Sequence, residues 1–289
     1  MAQALLVGVH VWYTVSFPIN LPGQRRSSLS PSCLQSTSTK YEVCLSPGCI
    51  ADGAEATLRK MQALAPPGVL VEPGVCCSFC GNGPVVMTPE GKTPAKFKKV
   101  KGDKILDLLL ADDQQSTESN NNYNMEALIK GYELSMEAEK ALGKQDYETA
   151  LNLYEFAIET AFRAAMDLQK AREKQKCDIL SETGIPIGLH WLVTARRNEA
   201  LTRLGLKDID GAVLAAQASS NLARNRCPES LQVLAEIYQK KGDTSGELQT
   251  LKIFFGLPVD EAKLSRQDAN DRRELGFRMA KLKREAEAL

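Results

Sequence analysis

The sequence predicts an α+β domain on the N-terminal side, followed by an all-α domain of helical repeats. Three observations predict this. Five of the eight cysteines crowd into two glycine-bearing stretches, CLSPGC at 44–49 and CCSFCGNGP at 76–84, each just after an apolar run of strand length. The run DDQQSTESNNNYN has almost no apolar content and reads as an unpacked connector. Beyond it, Ala, Leu and Glu recur at helical spacing. The chain therefore divides into a leader at 1–39, a cysteine-bearing domain at 40–111, a polar linker at 112–124, helical repeats at 125–258 and a charged terminal helix at 259–289.

The leader contains no Asp or Glu, is rich in Ser and Thr, and carries only Arg25 and Arg26 as charges. That is the composition of an organelle transit peptide, pointing to a plastid, with the mitochondrion as the alternative. A secretory signal fits less well, because the apolar stretch MAQALLVGVHVWYTVSF has no basic segment before it. It is also shorter than the roughly 20 apolar residues that a spanning helix needs. The mature chain is thus expected to have no integral membrane span. A plastid or matrix address argues against structural disulfides, since reducing compartments keep thiols reduced. Hydrophobic residues at 43 %, charged residues at 25 % and a net charge of zero suit one or two ordinary cores and offer no electrostatic case for nucleic-acid binding.

In the cysteine domain, YEVCL at 41–45 reads as a strand and ADGAEATLRKMQALA at 51–65 as an amphipathic helix stopped by PPG. VLVE at 69–72 is a second strand and VVMT at 85–88 a third. PEGK forms a turn, AKFKKV a fourth strand, and GDKILDLLL a closing helix capped near Asp103. Both cysteine loops follow a strand, so they are expected to open at the same end of the sheet.

Disulfides aside, such a thiol set suits a structural zinc or an iron–sulfur cluster. Zinc knuckles usually pair cysteines as C-x2-C. Here the pairs are C-x4-C (Cys44, Cys49) and C-x3-C (Cys76, Cys80), wider loops that suit two irons. The plant-type ferredoxin spacing is excluded because Asp52 stands where its third cysteine belongs, and neither His10 nor His190 is near enough for a Rieske-type set. The C-x4-C pair, a helix-bearing spacer, and C-x3-C followed by Gly81, Gly83 and Pro84 resemble the thioredoxin-like [2Fe-2S] ferredoxins and the related small subunits of NADH dehydrogenases and hydrogenases. The resemblance covers roughly residues 40 to 113. It implies Cys44, Cys49, Cys76 and Cys80 as ligands of one [2Fe-2S] cluster, with Cys77 an extra thiol. Glycines at 48, 81 and 83 would let backbone amides come close to the cluster sulfurs. A structural zinc, or a cluster-free degenerate or thiol-redox domain, stays open beside it.

Two tempting motifs fail. GKT at 91–93 lacks the first glycine of a phosphate loop, since Val86 stands there, and GNGPVV lacks the third glycine of a dinucleotide fingerprint. No nucleotide, flavin or acid–base constellation is visible, so the chain reads as a non-enzymatic carrier or sensor. The lysines at 92, 96, 98, 99, 101 and 104 read first as a solvated hairpin face, though an acidic redox partner could use them.

In the helical half, GKQDYETALNLYEFAIE places Asp146, Tyr147, Ala150, Tyr154 and Ala157 at spacings that resemble a tetratricopeptide repeat. A second unit carries Asn198, Ala200, Leu204, Gly205, Asp208 and Ala212. A third, from Pro228, carries Leu231, Leu234, Ala235, Tyr238, Gly242 and Asp243 and departs from the pattern at Glu247, where a small residue is expected. Asp208 and Asp243 lie 35 apart, whereas Asp146 and Asp208 lie 62 apart, so an overlong second helix and a loop closed by Gly184 and Pro186 separate units one and two. Cys177 and Cys227 read as isolated buried thiols. The repeat resemblance implies a groove for a protein partner, expected in the photosynthetic or related plastid machinery, peripheral to thylakoid complexes, with the cluster swinging on the linker. Tyr132 and Met136 occupy the places where a clamp for acidic C-terminal tails needs Lys and Asn. Only Asn198 of that clamp is present, so tail binding is not expected. The alternative function is a non-redox repeat adaptor whose cysteine domain is a structural zinc or degenerate thioredoxin-like module.

Overall fold

The computed structural model describes residues 39–76, 78, 81–88, 95–101, 104–105, 107–109, 123–174, 185–259 and 264–288. The leader up to residue 38, the linker between 110 and 122, the PEGK turn, Asp103 and the loop at 175–184 lie outside them. The chain is mostly helical, with a small mixed sheet near its N-terminus.

Strands β1 (Lys40–Cys44), β2 (Leu70–Gly74), β3 (Val86–Thr88) and β4 (Ala95–Phe97) form a four-stranded sheet in the order β2-β1-β3-β4. Alternation in β1 buries Tyr41 and Val43 and leaves Lys40 and Glu42 half-buried, as a strand with one packed face requires. β1 and β2 are parallel, while β1–β3 and β3–β4 are antiparallel. Parallel strands need a crossover, which α2 (Ala54–Leu64) supplies. Its apolar spacing buries Leu58, Met61 and Leu64. Residues 104–105 and 107–109 are helical, with Ile105 and Leu109 buried, and the Leu108 carbonyl accepts the Tyr41 hydroxyl at 3.2 Å.

One expectation is corrected. CLSPGC is not all loop, because a short helix, α1 (Pro47–Ala51), occupies it. Proline at the first helical position gives up no hydrogen bond and its φ suits the turn, and Ser46 before it is extended. Gly53, at φ 93, then separates α1 from α2, so the single helix expected at 51–65 starts three residues later.

The helical half is built of hairpins. α3 (Met125–Gly143) pairs with α4 (Tyr147–Lys174), α5 (His190–Gly205) with α6 (Ile209–Leu222), and α7 (Pro228–Lys241) with α8 (Thr244–Gly256), while α9 (Arg266–Glu287) lies on α8. Each hairpin turns in the same way. Gln145, Lys207 and Gly242 adopt positive φ, and the following Asp146, Asp208 and Asp243 each accept a backbone N–H three residues on with a carboxylate oxygen. Four residues beyond each Asp stand Ala150, Ala212 and Glu247, all buried. In the first hairpin Gly131 lets the helices cross closely: a Cβ there would sit 2.3 Å from that of Ala161. No described helix is long and apolar enough to cross a membrane.

The expectation of a sheet unit free to swing is also corrected. A single buried core runs from Val43, Met61 and Val86 through Leu128 and Tyr154 to Trp191 and Leu192. The guanidinium of Arg172, in α4, donates to the carbonyls of Gln62 and Ala65 at the C-terminal end of α2. Those carbonyls have no intrahelical partner, and the helix dipole favours a cation there. Gly188 makes room, since a Cβ on it would lie 1.9 Å from Arg172 Nη1. Lys60 of α2 also pairs with Glu133 of α3 at 2.9 Å.

Candidate metal centre at the thiol end of the sheet

Strand register builds the site. Cys44, the last residue of β1, pairs with Gly74, the last residue of β2. Because the two strands are parallel, the segments after them leave from the same end, as the sequence predicts. Beyond Gly74 the chain reaches Cys76 at the surface, while Cys44 and Cys49 are each only 1 % exposed. Backbone bonds tie the ends together: Cys44 N donates to Val85 O at 2.9 Å and Leu45 N to Gly74 O at 3.2 Å. None of Cys44, Cys49 and Cys76 is in a disulfide.

The first cysteine pair is brought together. α1 folds Cys49 back over the end of β1, where its thiol lies within hydrogen-bonding reach of Cys44, and the Cys44 thiol donates to the Ser46 hydroxyl at 3.4 Å. Burial pushes the Cys49 thiol up, and neighbouring Cys44 adds to this. Hydrogen bonds from Ser46 and the Val85 amide pull the other way. A buried thiol pair binds a cation as thiolates because the cation offsets the cost of burying their charge.

Gly83 is the close approach that the second loop makes to the first. A Cβ there would lie 3.0 Å from Cys49 Cα, 3.1 Å from its Sγ and 3.0 Å from Asp52 Oδ2. Gly81, at φ 84, turns the chain into that position, and the Gly83–Pro84 peptide bond is cis. Gly48 instead lies inside α1, with its carbonyl accepting from Asp52 N. Of the expected ligands, Cys44 and Cys49 are thus buried side by side and Cys76 is exposed two residues beyond β2, whereas Cys80, like Cys77, lies outside the described residues. Among the described residues no three His, Cys, Asp or Glu side chains form a group able to hold a metal ion. The two buried thiols, the Val85 amide at a sulfur and the close approach of Gly83 supply part of the donor set that a four-thiolate site would need.

Compared with models of protein families and with curated proteins, the chain matches none.

Other expected features fall as follows. Cys227 is buried, its thiol pushed up to about 11 mainly by that burial, and it donates to Glu229 at 3.1 Å. Cys177 lies outside the described residues. Asn198 is buried and donates to the Tyr154 hydroxyl at 3.2 Å, so it braces the first two hairpins rather than lining a groove. Tyr132 is likewise buried, edge-on to Trp191. Sequence reasoning missed Arg172 and the role of Glu247. An arginine following Ala161, Ala165 and Leu168 on the buried helix face and a carboxylate at a small-residue position were the available signals.

Proposed function

We propose that the chain is a plastid iron–sulfur protein. Its cysteine domain carries one [2Fe-2S] cluster on Cys44, Cys49, Cys76 and Cys80, and its helical half is a tetratricopeptide-type scaffold for a protein partner. The pairing of Cys44 with Gly74 carries this reading, because it delivers both cysteine loops to one end of the sheet, where the β1–β3 pairing brings Gly83 against Cys49. When bound, the cluster would supply one-electron transfer or redox sensing. Cys44 and Cys49 would hold its buried side, and Cys76 would hold the side that faces solvent. The thioredoxin-like reading draws support from the β2-β1-β3-β4 order with a helical crossover between parallel β1 and β2. The repeat reading draws support from the shared turn at Asp146, Asp208 and Asp243. The acid-free leader is the ground for the plastid address.

The test is metal analysis of full-length protein purified without oxygen. About two irons and two acid-labile sulfides per chain are expected, with a visible absorption that Cys49→Ser abolishes. Colourless protein holding one zinc per chain overturns the cluster and leaves the adaptor reading in its place.

A further inference from the structure

The same register that gathers the cysteines also gathers charge. Val43 pairs with Val86, and Val86 with Phe97, so β4 ends where β1 and β2 end. Lys98, Lys99, Lys101 and Lys104 follow that end and are all exposed. Lys99 N donates to Asn82 O and Val100 N to Pro84 O, each at 3.0 Å, which locks the lysine segment to the glycine cradle. Thr57 Oγ1 donates to Val100 O at 3.0 Å and fixes the segment against α2 as well. Lys99 has a φ of 53, a left-handed conformation that residues with a side chain seldom adopt, so the strand ends there in a tight turn.

Beside the cysteines stand two exposed apolar side chains. Val75, next to Cys76, is 79 % exposed, and Ile50, next to Cys49, is 38 % exposed. Of the acids described near this end, Asp52 and Glu55 are half-buried and Asp107 is exposed, one helical turn beyond Lys104, so the described lysines outnumber the exposed acid there. Glu42 and Glu72 lie further along the strands, bridged by Lys40 at 2.8 and 3.2 Å.

We propose that the thiol end of the sheet is a docking face for an acidic partner protein, with Val75 and Ile50 as its apolar contacts and Lys98, Lys99, Lys101 and Lys104 as its cationic rim. Apolar side chains next to cations form the usual core and rim of a transient protein interface. A nucleic acid fits less well. The chain has no net charge to attract a polyanion, and no large aromatic among the described residues at this end is exposed for base stacking. The face rests on the cluster reading only for what passes across the contact.

Cytochrome c in its native basic form and in its succinylated acidic form provides a matched pair of probes, titrated calorimetrically against the full-length protein. At about 20 mM salt the acidic form should bind and the basic form should not, and about 300 mM salt should release the acidic form. Lys99→Glu with Lys101→Glu should weaken binding about tenfold or more. Lys101→Glu with Lys104→Glu should do the same without touching the left-handed position. Equal binding of the two cytochromes, or unchanged binding by both charge-reversed proteins with their circular dichroism retained, overturns the docking face. Metal analysis of the same preparation separates the two readings: zinc in place of iron removes the cluster, while charge-dependent binding still supports the face.

Discussion

At the scale of single residues, His190 is one side chain whose surroundings make stability depend on pH. Its Nε2 is buried with no hydrogen-bond partner, and burial holds its pKa below the usual 6.5, with Arg197 adding to the effect and Glu229 opposing it. A base whose folded-state pKa is depressed takes up its proton first in the unfolded chain, so its contribution to stability is complete above about pH 6.5 and falls as pH drops from there toward the folded-state value. The other histidine, His10, is in the leader. Urea midpoints measured from about pH 7.5 to 5 should therefore decline for the wild-type protein and decline less for His190→Gln. An identical slope in both proteins would place the titrating group elsewhere.

At the scale of elements, Glu247 explains why the third hairpin departs from its repeat. Where the first two hairpins bury Ala150 and Ala212, the third buries a carboxylate that is 3 % exposed. Arg278 of α9 donates to that carboxylate, and its Nη2 reaches the Ala235 carbonyl at 3.1 Å. The terminal helix is thus pinned by a buried ion pair in addition to Leu275 and Leu282, and is more than the solvated cap that its charge suggests. Arg278→Ala strands a buried carboxylate and should cost about 3 kcal/mol. Glu247→Ala restores the small residue of the other hairpins, so Glu247→Ala with Arg278→Ala should recover most of the loss. A double-mutant cycle in urea with a coupling below about 0.5 kcal/mol would show that the pair does not hold α9. The hairpins themselves were legible in the sequence, because the Asp that caps each second helix and the buried residue four positions later are local signals. The helix in CLSPGC was not, since five residues carry too little periodicity to distinguish a turn of helix from a loop.

At the scale of the whole molecule, the sheet unit and the helical half share one core, and Arg172 is the clasp between them. Arg172→Ala leaves the Gln62 and Ala65 carbonyls without their charged donor and should lower stability by about 2 kcal/mol. Loss of the clasp should also let the sheet unfold before the helices. Alkylation of Cys49, which reports on the sheet, would then begin at lower urea than the loss of helical circular dichroism. Coincident transitions at an unchanged midpoint would mean that the core alone holds the two parts together.

By itself the sequence determined most of the elements, the strand that precedes each cysteine loop and the turn that joins each hairpin. These depend on residues within a few positions of one another, where periodicity, proline and glycine act directly. Only the tertiary structure decided that Gly83 sits against Cys49, that Lys99 is bonded to the loop carrying Gly83, that Arg278 answers Glu247 and that Arg172 closes the end of α2. Each of these joins residues that are distant in the chain, or depends on strand register. A polar linker between two halves reads the same in sequence whether the halves dock or not, because docking depends on which buried carbonyls and apolar faces meet.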